Sequence, residues 1–371
     1  MKNKVCCIFN YSPHYRKSIY DLMDKQLGCD FYFGANVPGI LKSMEAETLS
    51  GFKTKFKNII FKGRIVWQTG VLKLLFKAYD NYILTVDTAC LSSWLFIYIA
   101  NLLGKNVFFW THGCNGKESY FQRVKNKLYF GPCKGLLLYG EYAKNILVDQ
   151  GYNSKKLHVI ANSLDYERQL EIRNALFKNN IYLNHFKNDF PVIVFIGRLE
   201  KKKKLTMILE VMKMLGRENI HVNCVYIGEG NEKETLVKIA KKLEIEKYNW
   251  FYGACYNEDE IGNLIYNADI CLSPGNVGLT AIHSLSFGTP VITHSNFSNQ
   301  MPEFESITKG VSGDFFQEDN LVSLKKTIKE WLKKYPVKNK ELLENCFSVV
   351  DNKYNPYFQL NVLKTAIFDE N

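Results

Sequence analysis

The sequence predicts an α/β protein made of two Rossmann-like domains with parallel sheets. Short, almost wholly apolar strands alternate with helix-period segments along most of the chain, as in a parallel sheet covered on both faces. That alternation lapses once, after Asn162, and then restarts. In the second series the stretch Cys271 to Thr293, CLSPGNVGLTAIHSLSFGTPVIT, reads as a strand end, a Gly-rich turn, a helix and a second strand. A helix start reached through glycines offers free N–H groups and a positive dipole end to an anion.

The first series runs from a strand at Val5 to Asn10 through a helix at Tyr15 to Leu27 and a strand at Asp30 to Gly34. A strand at Tyr82 to Val86, bounded by Asp87, precedes a helix at Thr88 to Leu103. Strands at Asn106 to Trp110, Gly135 to Tyr139 and Leu157 to Ile160 follow, with a helix at Glu141 to Gln150. Asp165 to Asn188 is polar, partly helical and without strand signal, as expected of a connection. Strands then return at Val192 to Ile196, His221 to Ile227, Trp250 to Tyr252, Ile270 to Ser273 and Val291 to Thr293. Helices at Lys204 to Leu215, Lys233 to Leu243, Asp259 to Asn267, Ala281 to Phe287 and Leu321 to Lys334 separate or follow them. The expected boundaries are 1–165 for the first domain, 166–190 for the linker and 191–354 for the second domain. A helix over 355–371 is expected to rejoin the first domain.

Length and composition fit this division: 371 residues, 46% of them hydrophobic, are enough for two cores. The net charge of +11 favours anionic partners. Ten cysteines are scattered without a C-x-x-C pair, which argues against zinc and thioredoxin-like chemistry. With no secretory leader at MKNKVCCIFNYSP, free cysteines in apolar strands point to a reducing cytoplasm. The most apolar run, Leu91 to Leu103, falls short of the roughly 20 residues that span a bilayer. No recognition helix, zinc spacing or RNP-type motif indicates nucleic acid.

The chemistry concentrates at strand ends. Gly197-Arg198-Leu199 closes a strand, and Lys201 to Lys204 follow before a helix. Arg offers a planar fork and Lys a mobile point charge, so the two could bracket a diphosphate. Gly228-Glu229-Gly230 lacks the third glycine of a dinucleotide fingerprint and reads as a tight turn. The first βα turn, Asn10 to Arg16, has no glycine, so an NAD site there is not expected. Phe52 to Trp67 and Tyr120 to Phe130 interleave Lys and Arg with aromatic and aliphatic residues. Both suit peripheral helices on an anionic membrane.

GRLEKKKKLTMIL, VYIGEGNEKETL, FYGACYNEDEIGNLIYNADICLSP and VGLTAIHSLSFGTPVIT followed by MPEF together resemble the C-terminal half of the GT-B glycosyltransferases. More narrowly they are similar to the retaining "group 1" family, which includes glycogen synthase-like and lipopolysaccharide enzymes. The similarity is firm from Val192 to Phe316. It is looser through NYSPHYR, Trp110 to Gly113 and HVIANSLD. The resemblance implies the GT-B fold, two Rossmann-like domains facing across a cleft. It implies a nucleotide-sugar donor on the C-terminal domain and a saccharide or lipid-linked acceptor on the N-terminal one. Arg198 and Lys203 fall on the family's diphosphate-binding pair, and His112 on a strand-end histidine that approaches the donor sugar. Lys204 stands where the family usually has glycine. The amides around Gly278, Leu279 and Thr280 would hold the phosphates, and Tyr252 to Cys255, with Gly253, lie where the base packs. His14 and Arg16 fall to the acceptor side, and His14, His112 and Glu118 are the base candidates for an inverting route. No metal and no cofactor are expected.

The sequence also departs from the family around the donor loop. Two glutamates eight positions apart usually flank the donor loop, and those positions are Gly275 and His283 here. His283 can still make a hydrogen bond to a ribose hydroxyl. Glu303 and Glu305, in MPEFE, are the acids that could reach in for the first glutamate. The expected function is sugar transfer in the biosynthesis of a surface polysaccharide, lipopolysaccharide or glycolipid. The expected location is the cytoplasm, at the inner face of the membrane. A sugar-nucleotide epimerase and a binding subunit without turnover are the alternatives.

Overall fold

The computed structural model describes residues 4–35, 43–61, 65–85 and 88–369. Val86 and Asp87 at the end of an expected strand, Lys62 to Arg64 within the basic stretch 52–67, and residues 370–371 of the expected terminal helix lie outside these. The chain divides into two compact units, Met1–Asp165 with Asn355–Asn371, and Tyr166–Tyr354.

The first unit holds a seven-stranded parallel sheet of β1 (Val5–Phe9), β2 (Asp30–Gly34), β3 (Phe52–Phe56), β6 (Asn81–Thr85), β7 (Asn106–Thr111), β8 (Gly135–Leu138) and β9 (Leu157–Val159). Its order is β3-β2-β1-β6-β7-β8-β9. Side chains alternate across β1, so Val5, Cys7 and Phe9 enter one core and Cys6 and Ile8 the other. The first core packs α1 (Lys17–Leu27) and the C-terminal α13 (Pro356–Phe368), through Ile19, Tyr20, Leu360 and Leu363. The second packs α2 (Leu91–Leu102) and α3 (Tyr120–Phe130), through Phe96, Ile97, Tyr129 and Phe130. All ten cysteines are free thiols, and nine of them are buried.

The described parts of 52–67 are strands and not the expected helix. Phe52–Phe56 is the edge strand β3, and β4 (Asn58–Phe61) pairs antiparallel with β5 (Ile65–Gln68). The physical reason is the period. Lys53 and Lys55 alternate with Phe52, Thr54 and Phe56, a two-residue repeat that a helix cannot place on one face. Residues 120–130 are helical, as α3, started by a Ser119–Gln122 capping box.

The second unit contains a six-stranded parallel sheet of β10 (Val192–Ile196), β11 (Asn223–Ile227), β12 (Asn249–Gly253), β13 (Ile270–Ser273), β14 (Val291–His294) and β15 (Gly313–Phe316). Its order, β12-β11-β10-β13-β14-β15, is the Rossmann order 3-2-1-4-5-6. Its helices include α7 (Thr206–Gly216), α9 (Glu258–Asn267), α10 (Leu279–Ser286) and α12 (Lys340–Asn352). Residues 166–190 form α5 (Tyr166–Ala175) and α6 (Ile181–Phe186), inside this unit. Asp351, near the end of α12, accepts two bonds from Arg173 (both 3.1 Å) and one from Tyr166 (3.0 Å). The segment entering the unit is thereby tied to the segment leaving it. Among the described residues no helix is long and apolar enough to cross a membrane.

Candidate functional site

In an open parallel sheet a ligand binds beyond the carboxyl ends of the strands, where the strand order reverses. In the second unit that point lies between β10 and β13. The loops leaving those two strands interlock. Gly275 N–H donates to Lys203 O (3.0 Å), and Lys203 Nζ donates to Asn276 O (2.7 Å) and Asn276 Oδ1 (3.1 Å). A Cβ added to Gly275 would lie 2.2 Å from Lys202 O and 2.7 Å from Lys203 Cα. The glycine is required by this close backbone approach.

The start of α10 is fixed from both sides. Thr280 Oγ1 donates to Ile196 O (2.9 Å), and Val277 N–H donates to Gln300 Oε1 (2.7 Å). Gln300 Nε2 in turn donates to Thr293 Oγ1 and His294 O, both at 2.9 Å. No side chain caps α10 at Gly278, so the amides of its first turn face outward as a fixed dipole end.

Cations surround this turn. Arg198 is exposed and pairs with Glu200 (2.9 Å). Lys203 is half-buried; burial, and then the Lys202 charge, push its pKa down to about 8, while Glu200 and Glu303 pull the other way. Glu303 itself is buried in a short turn packed on α10. Lys204 holds φ +51°, the left-handed backbone that glycine favours, and its Nζ bridges Glu318 (3.0 Å) and Asp319 (2.6 Å). Gly253 ends β12 with φ +97°, and its carbonyl accepts from Gly228 N–H (2.8 Å). Beside it the Tyr252 hydroxyl donates to Glu260.

His283, further along α10, meets a carboxylate from another helix. Its Nε2 lies 2.8 Å from Glu258 Oε1, which also accepts from Gln169 Nε2 of α5 (2.8 Å). Sequence reasoning missed Glu258, Asn276, Thr293 and Gln300. Asn276 and Thr293 lie within the Cys271 to Thr293 stretch with no motif to mark them, and Glu258 and Gln300 are brought to it only by the fold. A glutamate at the first residue of a helix has an ordinary dipole explanation, which hid Glu258.

In the first unit the strand order reverses between β1 and β6. A pocket of about 410 Å³ opens there, lined by Asn10, Tyr11, Arg16, Thr85, Trp110, Thr111, His112 and Tyr139, among others. Arg16 is buried, and its Cζ lies 4.7 Å from the Trp110 ring centroid. His112 is an exposed residue of the pocket lining, with its ring centroid 4.6 Å from that of Tyr139. The surrounding protein, and then the Arg16 charge, shift its pKa downward, which leaves the ring neutral at pH 7. His14 is exposed, packs edge-on against Tyr15 and is not among the residues lining the pocket. Glu118 accepts from the amides of Asn115 (2.7 Å) and Gly116 (3.1 Å).

A chain of two Rossmann-like units, the second with interlocked loops at its reversal point, has the GT-B architecture. Anabaena HepE, solved with UDP, aligns at TM-score 0.72 and 13% identity, over 98% of this chain and 99% of that one. The lipopolysaccharide outer core galactosyltransferase WaaB aligns at 0.73 and 14%, over 98% and 99%. A glycosyltransferase from Rickettsia africae aligns at 0.73 and 15%, over the whole of both chains. Residues 178–346, all within the second unit, match the family described as glycosyl transferases group 1. Glycogen synthase of Hydrogenovibrio crunogenus is 33% identical over 112 residues, and pea granule-bound starch synthase 1 is 29% identical over 173. Those matches take in 29% and 43% of this chain but only 22% and 28% of the relatives.

Proposed function

We propose that the protein transfers a sugar from a nucleotide-diphosphate donor to a saccharide or lipid-linked saccharide acceptor. The observation that carries this reading is the lock between Lys203 and the Gly275-Asn276 turn. It holds a cation beside an uncapped helix start, at the reversal point of a unit that matches the group 1 glycosyl transferases over residues 178–346. The second unit takes the donor and the first unit the acceptor.

The bond from the sugar C1 to the diphosphate oxygen breaks, and the acceptor hydroxyl oxygen forms a new bond to C1. Negative charge grows on the leaving diphosphate. Arg198, Lys203 and the amides of Gly278, Leu279 and Thr280 stabilise it without rearranging. The leaving phosphate oxygen takes the acceptor proton, and the sugar keeps its anomeric configuration. His112, neutral, orients the donor sugar by hydrogen bonding. His283, held by Glu258, meets the ribose hydroxyls, and Tyr252 to Cys255 take the base. The leaving-group charge is assigned to these groups and not to a metal, so turnover is expected to survive a chelator.

A lipid-linked acceptor suits an apolar, basic surface of the first unit. Leu91, Leu95, Tyr98 and Leu102 are exposed along α2, and Tyr120, Phe121, Val124 and Leu128 along α3. The Tyr98 hydroxyl donates to Leu128 O (3.0 Å) between the two helices. Arg123, Lys125 and Lys127 lie on α3, and Ile59, Ile60 and Phe61 are exposed on β4. Such a face lies in the headgroup region of an anionic leaflet, at the cytoplasmic side of the membrane.

The test is sugar transfer from UDP- and GDP-sugars to saccharide acceptors by the purified chain, against Arg198→Ala and Lys203→Ala variants. Full transfer by both variants would falsify the donor assignment. Free nucleotide released without any acceptor would favour an epimerase, and nucleotide binding without turnover would favour a binding subunit.

A further inference from the structure

We propose that the pocket of the first unit binds an oxyanion, a carboxylate or phosphate carried on a small saccharide, with Arg16 as its ligand. Arg16 is 8% exposed and, among the described residues, has no carboxylate within ion-pair distance. Among the described residues its Nη atoms donate to the neutral hydroxyls of Tyr20 and Tyr139. Among the same residues its buried Nε has no hydrogen-bond partner, and neither has the buried Nε1 of Trp110. Both side chains line the pocket. A guanidinium cannot shed its charge to relieve burial, so an unpaired one is costly unless something completes it.

The donors left over define the ligand. A guanidinium edge with a free Nε–H fits the two oxygens of a carboxylate or phosphate, and the indole N–H adds a third donor. The Trp110 and Tyr139 rings hold the fork in one orientation, with Arg16 Cζ at 4.7 Å and 5.6 Å from their centroids. The volume of about 410 Å³ lies in the range of small-molecule pockets. Its place at the strand-order reversal is where such a fold binds ligands. Assigning the anion to the acceptor rests on the transferase reading; the binding itself does not.

The experiment follows thermal shift and intrinsic tryptophan fluorescence of the full chain at fixed ionic strength. The probes are glucuronate, glucose 6-phosphate, glucose and UDP. Glucuronate and glucose 6-phosphate are expected to raise the melting midpoint and change the fluorescence, and glucose to do neither. Arg16→Met keeps the length and the ring contacts. It is expected to fold with an unchanged or higher midpoint and to lose at least tenfold in affinity for the acidic sugars, with the UDP response intact. Arg16→Lys keeps the charge but not the fork and is expected to bind several-fold more weakly. An equal response to glucose and glucuronate, or wild-type affinity in both variants, overturns the proposal. Loss of the UDP response in Arg16→Met overturns the acceptor assignment, because the anion is then the donor's. If Lys203→Ala and the wild type bind UDP and GDP equally or not at all while the acidic sugars still depend on Arg16, the transferase reading falls and the pocket stands.

Discussion

The two strand-order reversals occupy equivalent places in the two sheets and are built from opposite materials. In the second unit the charges are mobile or half-exposed, and backbone amides at a helix start provide the fixed part. In the first unit the charge is a single buried guanidinium, clamped between aromatic rings and short of donors' partners. The first design suits a flexible diphosphate whose charge changes during the reaction. The second suits a compact anion recognised in one pose. Topology fixes where each site lies, and side-chain chemistry fixes what it takes.

Breaking the donor side should have the largest effect. Lys203→Ala removes the cation and unlocks Asn276, and kcat/KM is expected to fall roughly 100- to 1,000-fold in steady-state assays. Restoring the family's acid comes next. Gly275→Glu forces a side chain into Lys202 O. It is expected to cost about 1–3 kcal/mol, seen as a lower Tm, and to weaken nucleotide binding as the loops part. The proton on Lys203 gives a third, graded test. Its pKa of about 8 means the cation is lost as pH rises through that value. Nucleotide affinity measured by calorimetry should be level below about pH 8 and fall above it, approaching tenfold per unit.

The His283–Glu258 contact predicts a smaller effect, on stability. Burial raises the Glu258 carboxyl, but His283 and Gln169 overcome this and hold it below its ordinary value. Its contribution is therefore present above the ordinary carboxylate range and lost as pH falls through the lowered value. Glu258→Gln should cost about 1 kcal/mol near neutrality and flatten the acid limb of a urea-denaturation series. Smallest is the surface. Phe121→Ser should weaken sedimentation with anionic vesicles about tenfold, by the loss of one apolar anchor. Raised salt should weaken it further through Arg123, Lys125 and Lys127.

The difference between the two sites also explains what the sequence made legible. Strands such as Val192–Ile196 and Asp30–Gly34 read directly, because apolar runs of that length have few other homes. The cation cluster and helix start of the second unit read as a motif, because its parts are close in the chain. Arg16 reads as an acceptor-side residue through the resemblance alone, and its burial does not read at all, since that depends on Trp110 and Tyr139, about a hundred residues away. Gly275 read as a missing acid, because a close approach between two backbones leaves no mark but the glycine itself. Residues 52–67 are the opposite case, because lysines alternating with aromatic residues resemble a basic helical face until the two-residue period is counted.

The return of α13 to the first unit bears on how the chain is made. Leu360, Leu363 and Ile367 belong to the core that α1 and β1 begin. On a ribosome the strands of the first unit are synthesised first, yet that unit lacks α13 until Pro356–Phe368 emerge. The second unit, contiguous from Tyr166 to Tyr354, has all its strands before then. Vectorial synthesis should thus complete the domains in reverse of their order in the gene. A premature stop before α13 would leave the catalogue of donor contacts whole and open the opposite unit.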